Sequence, residues 1–80
     1  MDDTEVISRI NRLANEEHEL FAKESREEAS EADRSRAHEI EVLLDQCWDL
    51  LHQRRAKRNA GLDPDEASVR DAGTVEGYIG

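Results

Sequence analysis

The chain has 80 residues and a formal net charge of −9, and its charged residues (39%) outnumber its hydrophobic ones (36%). A chain this short forms at most one small domain, and its acidity argues against a general attraction to nucleic acid or anionic membranes. Its apolar area barely offsets the conformational entropy lost on folding, which favours an oligomer over a lone folded chain.

The amino-terminal residues do not read as a secretory signal. The first residues, MDDTEV, are acidic and lack the apolar run of such a signal. The longest aliphatic run, residues 42–44, is far too short to span a bilayer. Cys47 is the only cysteine, so no intrachain disulfide can form. These features predict a reduced, cytoplasmic protein that does not enter membranes.

A first helix is predicted over residues 3–26, where apolar residues recur at helical spacing on a stripe roughly 140° wide. The stripe consists of Val6, Ile7, Ile10, Leu13, Ala14, Leu20 and Phe21. It disappears in the polar stretch AKESREEASEADR, which predicts a turn near residues 27–30. Ser25 with Glu28 fits the spacing of a capping box, and Ser30 with Asp33 is a weaker match.

A second helix is predicted over residues 31–59, with an apolar arc about 160° wide. The arc consists of Ala37, Ile40, Leu43, Leu44, Cys47, Trp48, Leu50 and Leu51. The two stripes predict an all-α fold, an antiparallel two-helix hairpin of coiled-coil type over residues 1–60. One unbroken helix is the alternative, but a marginal amphipathic helix gains most by folding back on itself.

Residues 61–80 form a separate C-terminal segment. Gly61 is suited to end the second helix, and Asp63 followed by Pro64 is typical of a helix start, so a short helix is predicted over residues 64–69. The remaining RDAGTVEGYIG reads as an extended, flexible tail. Its apolar residues are candidates for contact with the hairpin: Val75, Tyr78 and Ile79.

Cys47 and Trp48 are the only residues of their types and lie side by side. Cys47 falls near the centre of the second arc, and we interpret it as a small buried apolar residue rather than a nucleophile. Trp48 falls at the edge of the arc, where one partner helix cannot cover it. We expect a second hairpin or the folded-back tail to pack there, and a half-exposed rim position is the alternative.

A second hairpin at that edge would give a dimeric four-helix bundle. The residues predicted for its interface are Trp48, Leu44, Leu51, Cys47, Ile7 and Phe21.

Four cations close the second helix: Arg54, Arg55, Lys57 and Arg58. Cations in the last turns offset the negative end of the helix dipole, and in a hairpin they also lie beside the acidic residues 2–5. We prefer this structural interpretation. The alternative is a basic patch for nucleic acid, for which four charges without interleaved aromatics are a weak signal.

Glu17 falls inside the first apolar stripe. It is predicted either to pair with Arg36 and fix the register of the helices, or to lie exposed at a splayed end. The segments EEHEL and AHEIE bring Glu and His to one level, but their spacing does not fit the Glu-x-x-His pattern of bundle metal sites. No phosphate loop, HExxH, CxxC or catalytic triad is found, so we expect no enzyme, metal or cofactor.

The block LDQCWDLLHQRRAKR, followed by DPDEA and a closing VEGY, resembles a family of small actinobacterial proteins of unknown function. The resemblance extends over nearly the whole chain. It implies a helical fold and a non-secreted housekeeping or regulatory protein, and it supplies no activity and no catalytic residues.

Two functions are compatible with these features. The preferred one is a protein–protein interaction or structural module that acts as a homo-oligomer, with a dimer favoured and an unidentified protein partner possible. The alternative is a weak nucleic-acid-associated regulator that uses the basic end of the second helix.

Overall fold

The computed structural model describes the backbone of residues 1–79 and the side chains of residues 1–77. Over that range the fold is all-helical, with α1 (Asp3–Ser25), α2 (Glu31–Asn59), a 3-10 turn (Pro64–Glu66) and α3 (Ala72–Ile79). α1 and α2 pack against each other as an antiparallel hairpin, and the 3-10 turn and α3 both contact α2. The all-α prediction is confirmed. None of the described helices is long and apolar enough to cross a membrane.

α1 begins and ends at recognisable caps. The Asp2 side chain accepts a hydrogen bond from the backbone N–H of Glu5 (2.8 Å). At the other end, the N–H of Glu28 donates to the carbonyl of Lys23 (2.9 Å), as in a Schellman motif. The residue that makes this turn is Glu27, with φ of 60°. Glycine is the usual residue there, because a Cβ is crowded in the left-handed region.

α2 is capped at both ends by its own sequence. Ser30 and Asp33 form a reciprocal capping box, with both bonds at 3.1 Å. The bond from the backbone of Ser30 lowers the pKa of the Asp33 carboxyl. Gly61 ends the helix with φ of 74°, and the N–H of Leu62 donates to the carbonyl of Lys57 (2.8 Å). The weaker of the two candidate capping boxes is therefore the one that is formed.

The hairpin core is built from one stripe of each helix. The buried residues are Val6, Ile10, Leu13 and Leu20 of α1, and Ile40, Cys47, Leu50 and Leu51 of α2. Val6 and Ile40 have no exposed surface. The broad stripe seen in the sequence of α1 is thus divided, because one partner helix covers only part of it. Ile7 and Phe21 remain 46% exposed.

The C-terminal segment, residues 63–79, differs from its prediction. A single 3-10 turn replaces the helix expected over residues 64–69, and the expected flexible tail forms α3. Two interactions explain that helix. Asp71 caps it by accepting from the N–H and hydroxyl of Thr74 (2.8 and 3.0 Å), and Val75 is 1% exposed. Of the predicted tail contacts, Val75 is buried, while the side chains of Tyr78 and Ile79 lie outside the described residues.

Candidate interaction surface

Ion pairs between the helices fix the register of the hairpin near both of its ends. Arg54 Nε lies 2.6 Å from Asp3 at the open end, and Arg36 binds both carboxylate oxygens of Glu16 (2.6 and 3.0 Å) towards the turn. These pairs place Ile7 at about the level of Trp48.

Ile7 and Trp48 also lie on the same side of the hairpin. Each follows a buried residue, Val6 or Cys47, and is therefore rotated by about 100° away from the contact between the helices. Because the helices run in opposite directions, equal rotations bring the two side chains to one side. We call this side the front face and define it by Ile7, Phe21, Leu44 and Trp48. Ile7, Phe21 and Trp48 are each 46% exposed, and Leu44 is half-buried.

The opposite side, the back face, is covered by the C-terminal segment. Gln53 Nε2 donates to the carbonyl of Ser68 (2.9 Å), and Gln46 Nε2 donates to the carbonyl of Arg70 (3.2 Å). Gln46 is about 160° around α2 from Trp48. The segment therefore covers the side of α2 away from Trp48, and the described part of the folded-back tail does not cover the tryptophan.

The residues predicted for an interface fall into two groups. Cys47 and Leu51 belong to the hairpin core, with 8% and 7% exposure. Burial raises the pKa of the Cys47 thiol, which keeps it protonated and unreactive. The remaining predicted residues form the front face and are the ones within reach of a partner.

The basic end of α2 is largely occupied within the chain. The Arg54 side chain is 7% exposed and donates to Asp3 (2.6 Å), to Asp65 (3.0 Å) and to the carbonyl of Pro64 (3.3 Å). It therefore joins both helices and the C-terminal segment at one point. This clamp was not recognised in the sequence, because Asp65 comes after the end of α2 and reaches Arg54 only through the chain reversal.

Two more of the four cations have acidic partners. Arg58 lies 2.7 Å from Asp3, and Lys57 lies 3.6 Å from Glu66. Hydrogen bonds from Arg58 and Arg54 lower the pKa of Asp3 to about 2. Arg55 is exposed and forms no ion pair within the described residues.

Arg36 does not pair with Glu17 as predicted. Its partners are Glu16 on α1 and Glu39 one turn along α2 (2.8 Å). Glu17 is half-buried and contributes no ion pair within the described part of the chain. The register device expected from the sequence exists, but the neighbouring glutamate provides it, because Glu16 is rotated by about 100° from Glu17. Its hydrogen bonds from Arg36 lower the pKa of Glu16.

Sequence comparison connects this arrangement to known proteins. The family described as "Protein of unknown function (DUF2630)" matches residues 2–80. The chain belongs to the DUF2630 family. Uncharacterised proteins of Mycobacterium bovis and of two Mycobacterium tuberculosis strains are each 48% identical to it over 79 residues, covering 98% of this chain and 91% of each relative. No solved structure matches it.

The family assignment confirms the resemblance drawn from the LDQCWDLL block, and that block has a clear place in this DUF2630 fold. It supplies Cys47 and Leu50 to the core, Trp48 to the front face, and Gln46 and Asp49 to the back face. Asp49 lies 3.4 Å from the guanidinium of Arg70. The back-face role of Gln46 and Gln53 was missed in the sequence, although their spacing of seven puts them on one flank of α2.

No group of three or more His, Cys, Asp or Glu residues suited to a metal ion occurs among the described residues of this DUF2630 chain.

Proposed function

We propose that this DUF2630 protein is a structural interaction module that acts as a homodimer and closes its front face against a second copy. The observation that carries the proposal is the exposure of Ile7, Phe21 and Trp48 on one side of the hairpin, 46% each. Aromatic side chains are enriched at protein–protein interfaces, and charged residues are depleted at interface cores. The chain's own C-terminal segment packs on the other side.

The exposed apolar area indicates how strong such a dimer is. At about 200 Å² for a large side chain, each of the three residues offers roughly 90 Å². Their sum, about 270 Å² per copy, is a third of the ~800 Å² that each partner buries in a standard interface. The dimer therefore needs further contacts, and we expect a reversible association rather than a permanent one.

Nucleic-acid binding gains no support from the arrangement of the basic residues. Arg54 is buried in a clamp with Asp3 and Asp65, and Arg58 and Lys57 face acidic side chains. Binding to nucleic acid gains affinity when free cations displace the counterions of its phosphates, and three of the four cations at the end of α2 are already paired within the chain.

We also propose that the role is not enzymatic. A cavity of about 30 Å³ lies between the helices and the C-terminal segment, beside Cys47 and Val69. It has room for a water molecule or two, and the larger depressions on the described surface, about 350–480 Å³, are open to solvent, whereas small-ligand sites enclose most of the ligand.

Sedimentation velocity over a range of concentrations tests the dimer. The chain has a mass of 9.1 kDa, and we expect the mass to approach twice that value as concentration rises. Trp48→Glu places a charge in the front face and is expected to weaken dimerisation at least 30-fold. The matched control is Val69→Glu, because Val69 is 55% exposed but belongs to the C-terminal segment. A wild-type monomer at every concentration, or equal weakening by the control, contradicts the proposal.

Salt dependence separates the two functions. Two copies of net charge −9 repel each other, so added salt is expected to tighten the dimer by screening that repulsion. Binding to a nucleic acid would weaken with salt instead.

A further inference from the structure

The front side of α1 carries a heptad pattern that the hairpin does not use. Residues spaced alternately by three and four run along its whole length. We call them the α1 seam: Thr4, Ile7, Asn11, Ala14, His18, Phe21 and Ser25. All seven are exposed, because the buried residues of α1 lie on a different stripe.

The seam and its flank away from α2 are free of charge, whereas the flank towards α2 carries Asp3, Glu17 and Glu24. Ser8, Asn15 and Ala22, which adjoin the seam, are also neutral. The charged residues of α1 all occupy other positions: Asp3, Glu5, Arg9, Arg12, Glu16, Glu17, Glu19, Lys23 and Glu24. In a chain in which 39% of residues are charged, a solvated face of this length would carry charges. Charge depletion over an exposed surface is typical of the core of an interface.

We infer that the α1 seam packs antiparallel against the α1 seam of a second copy, with Ala14 near the twofold axis. The inference rests on the proposed dimer and names its contact surface and orientation. The seam supplies the additional area that the three large front-face residues lack. It is also where two acidic chains meet with the least repulsion, because it has no charge of its own.

The antiparallel orientation follows from the positions of the large side chains. Ile7 and Phe21 are separated by 14 residues, or about 21 Å along the helix, with the small Ala14 midway. Reversing one copy brings its Phe21 beside Ile7 and Trp48 of the other, and twofold symmetry repeats this cluster at the other end. A parallel pair would instead leave each Phe21 facing only its own equivalent.

Charge complementarity favours the same orientation. The turn of the hairpin is acidic on balance, because Glu24, Glu27 and Glu28 outnumber Lys23 and Arg26, and Arg26 lies 3.2 Å from Glu28. A parallel pair would place two such turns together. An antiparallel pair places each turn beside the open end of the other copy, where Arg55 lies on the front side and forms no ion pair within the described residues.

The polar residues of the seam suit a specific pairing. Asn11 and His18 alternate with the apolar Ile7, Ala14 and Phe21. A neutral polar side chain at a seam position lowers the strength of a helix pair but restricts its register, since other alignments leave the polar group without a partner. A moderate, single-register dimer is the expected result.

Cysteine cross-linking with a short bismaleimide tests the orientation. The full-length chain carries Cys47→Ala, and single cysteines are introduced at exposed small residues by Thr4→Cys, Ala14→Cys or Ser25→Cys. Ala14→Cys is expected to cross-link to itself, whereas Thr4→Cys and Ser25→Cys alone give no product. An equimolar mixture of the last two gives a covalent heterodimer. Arg12→Cys, at nearly the level of Ala14 but on the side of α1 that carries Arg9 and Glu16, is the matched control and stays uncross-linked.

The outcomes separate the inference from the proposed dimer. Self-cross-linking of Thr4→Cys would overturn the antiparallel orientation. A dimer in sedimentation with no cross-link at Ala14→Cys would overturn the α1 seam and leave the dimer standing. If Cys47→Ala alone makes the protein monomeric while the wild type is dimeric, the same series is repeated with Cys47→Ser. A monomeric wild type would overturn both the α1 seam and the dimer.

Discussion

The front and back faces of one hairpin are treated in opposite ways by the same chain. The back face is covered by the C-terminal segment, which Gln46 and Gln53 hold through its backbone carbonyls and which buries Val75. No described residue outside the hairpin covers the front face, and Ile7, Phe21 and Trp48 are each 46% exposed. A two-helix hairpin has two sides, and a segment of some 17 residues closes only one of them.

The two faces also differ in their chemistry. Side-chain amides that donate to backbone carbonyls fix one extended segment in one position, largely independent of its side chains. The α1 seam of the front face is uncharged and partly apolar, and its few polar side chains, such as Asn11 and His18, suit one alignment against a surface like itself. The contrast supports a chain that folds its own tail onto one face and uses a second copy for the other.

Among changes that test the two faces, Val75→Asp is expected to have the largest effect, on the docking of the C-terminal segment. A carboxylate at a position with 1% exposure has no partner, so about 3 kcal/mol of the docking of the C-terminal segment should be lost. Hydrogen exchange should then rise over residues 68–77 and stay unchanged in the core of α1. Val69→Asp is the control, because Val69 in the same segment is 55% exposed. Protection that persists in Val75→Asp would contradict a back face held by this residue.

Acid should weaken the ion pairs that Asp3 makes with Arg54 and Arg58 at the open end of the hairpin. The pKa of Asp3 is about 2, below its usual 3.8, so the folded state binds this proton less readily than the unfolded state. Its stabilising effect is therefore complete above about pH 4 and is lost as pH falls towards 2. The midpoint of thermal unfolding should fall over that interval, and less steeply in Asp3→Asn. Identical pH profiles for the two proteins would rule out this role.

Glu27→Gly should stabilise the hairpin without touching either face. Relief of the left-handed backbone at φ of 60° is expected to contribute about 1 kcal/mol in chemical unfolding. Glu28→Gly, the next residue in the same turn, lacks the positive φ and should give no gain. Equal effects of the two changes would show that the conformation of Glu27 carries no strain.

The smallest expected effect concerns α3, the helix of the C-terminal segment. Gly77 lies within α3, and a Cβ there would meet open space, so Gly77→Ala should strengthen α3 by about 0.5–1 kcal/mol. Gly73→Ala is the comparison, since its Cβ would lie 3.3 Å from the Asp71 carboxylate that caps the helix. Slower hydrogen exchange in α3 for Gly77→Ala alone is the predicted result.

The sequence correctly predicted the helices and caps that depend on neighbouring residues in the chain. Apolar recurrence marked α1 and α2, and Ser30 with Asp33 and then Gly61 are seen at the ends of α2. The sequence could not show which part of the broad stripe of α1 faces α2, because that choice depends on the mutual rotation of the helices. It therefore placed Ile7 and Phe21 on one stripe with the residues that form the core, and it named the core residues Cys47 and Leu51 together with them for the interface.

Features that depend on distant partners were also missed. α3 contains two glycines and is a poor helix by propensity, so it forms only with a buried site for Val75 and a cap from Asp71. Arg54 appeared as one of four exposed cations, but the chain reversal at Gly61 brings Asp65 to it. The spacing and neutral charge of the α1 seam can be read from the sequence alone. The seam was not predicted, because Ile7 and Phe21 were assigned to one wide apolar stripe.

The central claim, that a second copy closes the front face, is tested most directly by acrylamide quenching of Trp48. It is the only tryptophan, so tryptophan fluorescence reports on this face alone. On dilution, we predict that quenching rises and the emission shifts to longer wavelength, in step with the fall from twice 9.1 kDa to 9.1 kDa in sedimentation. Quenching that is the same at all concentrations, while the mass changes, would contradict the account.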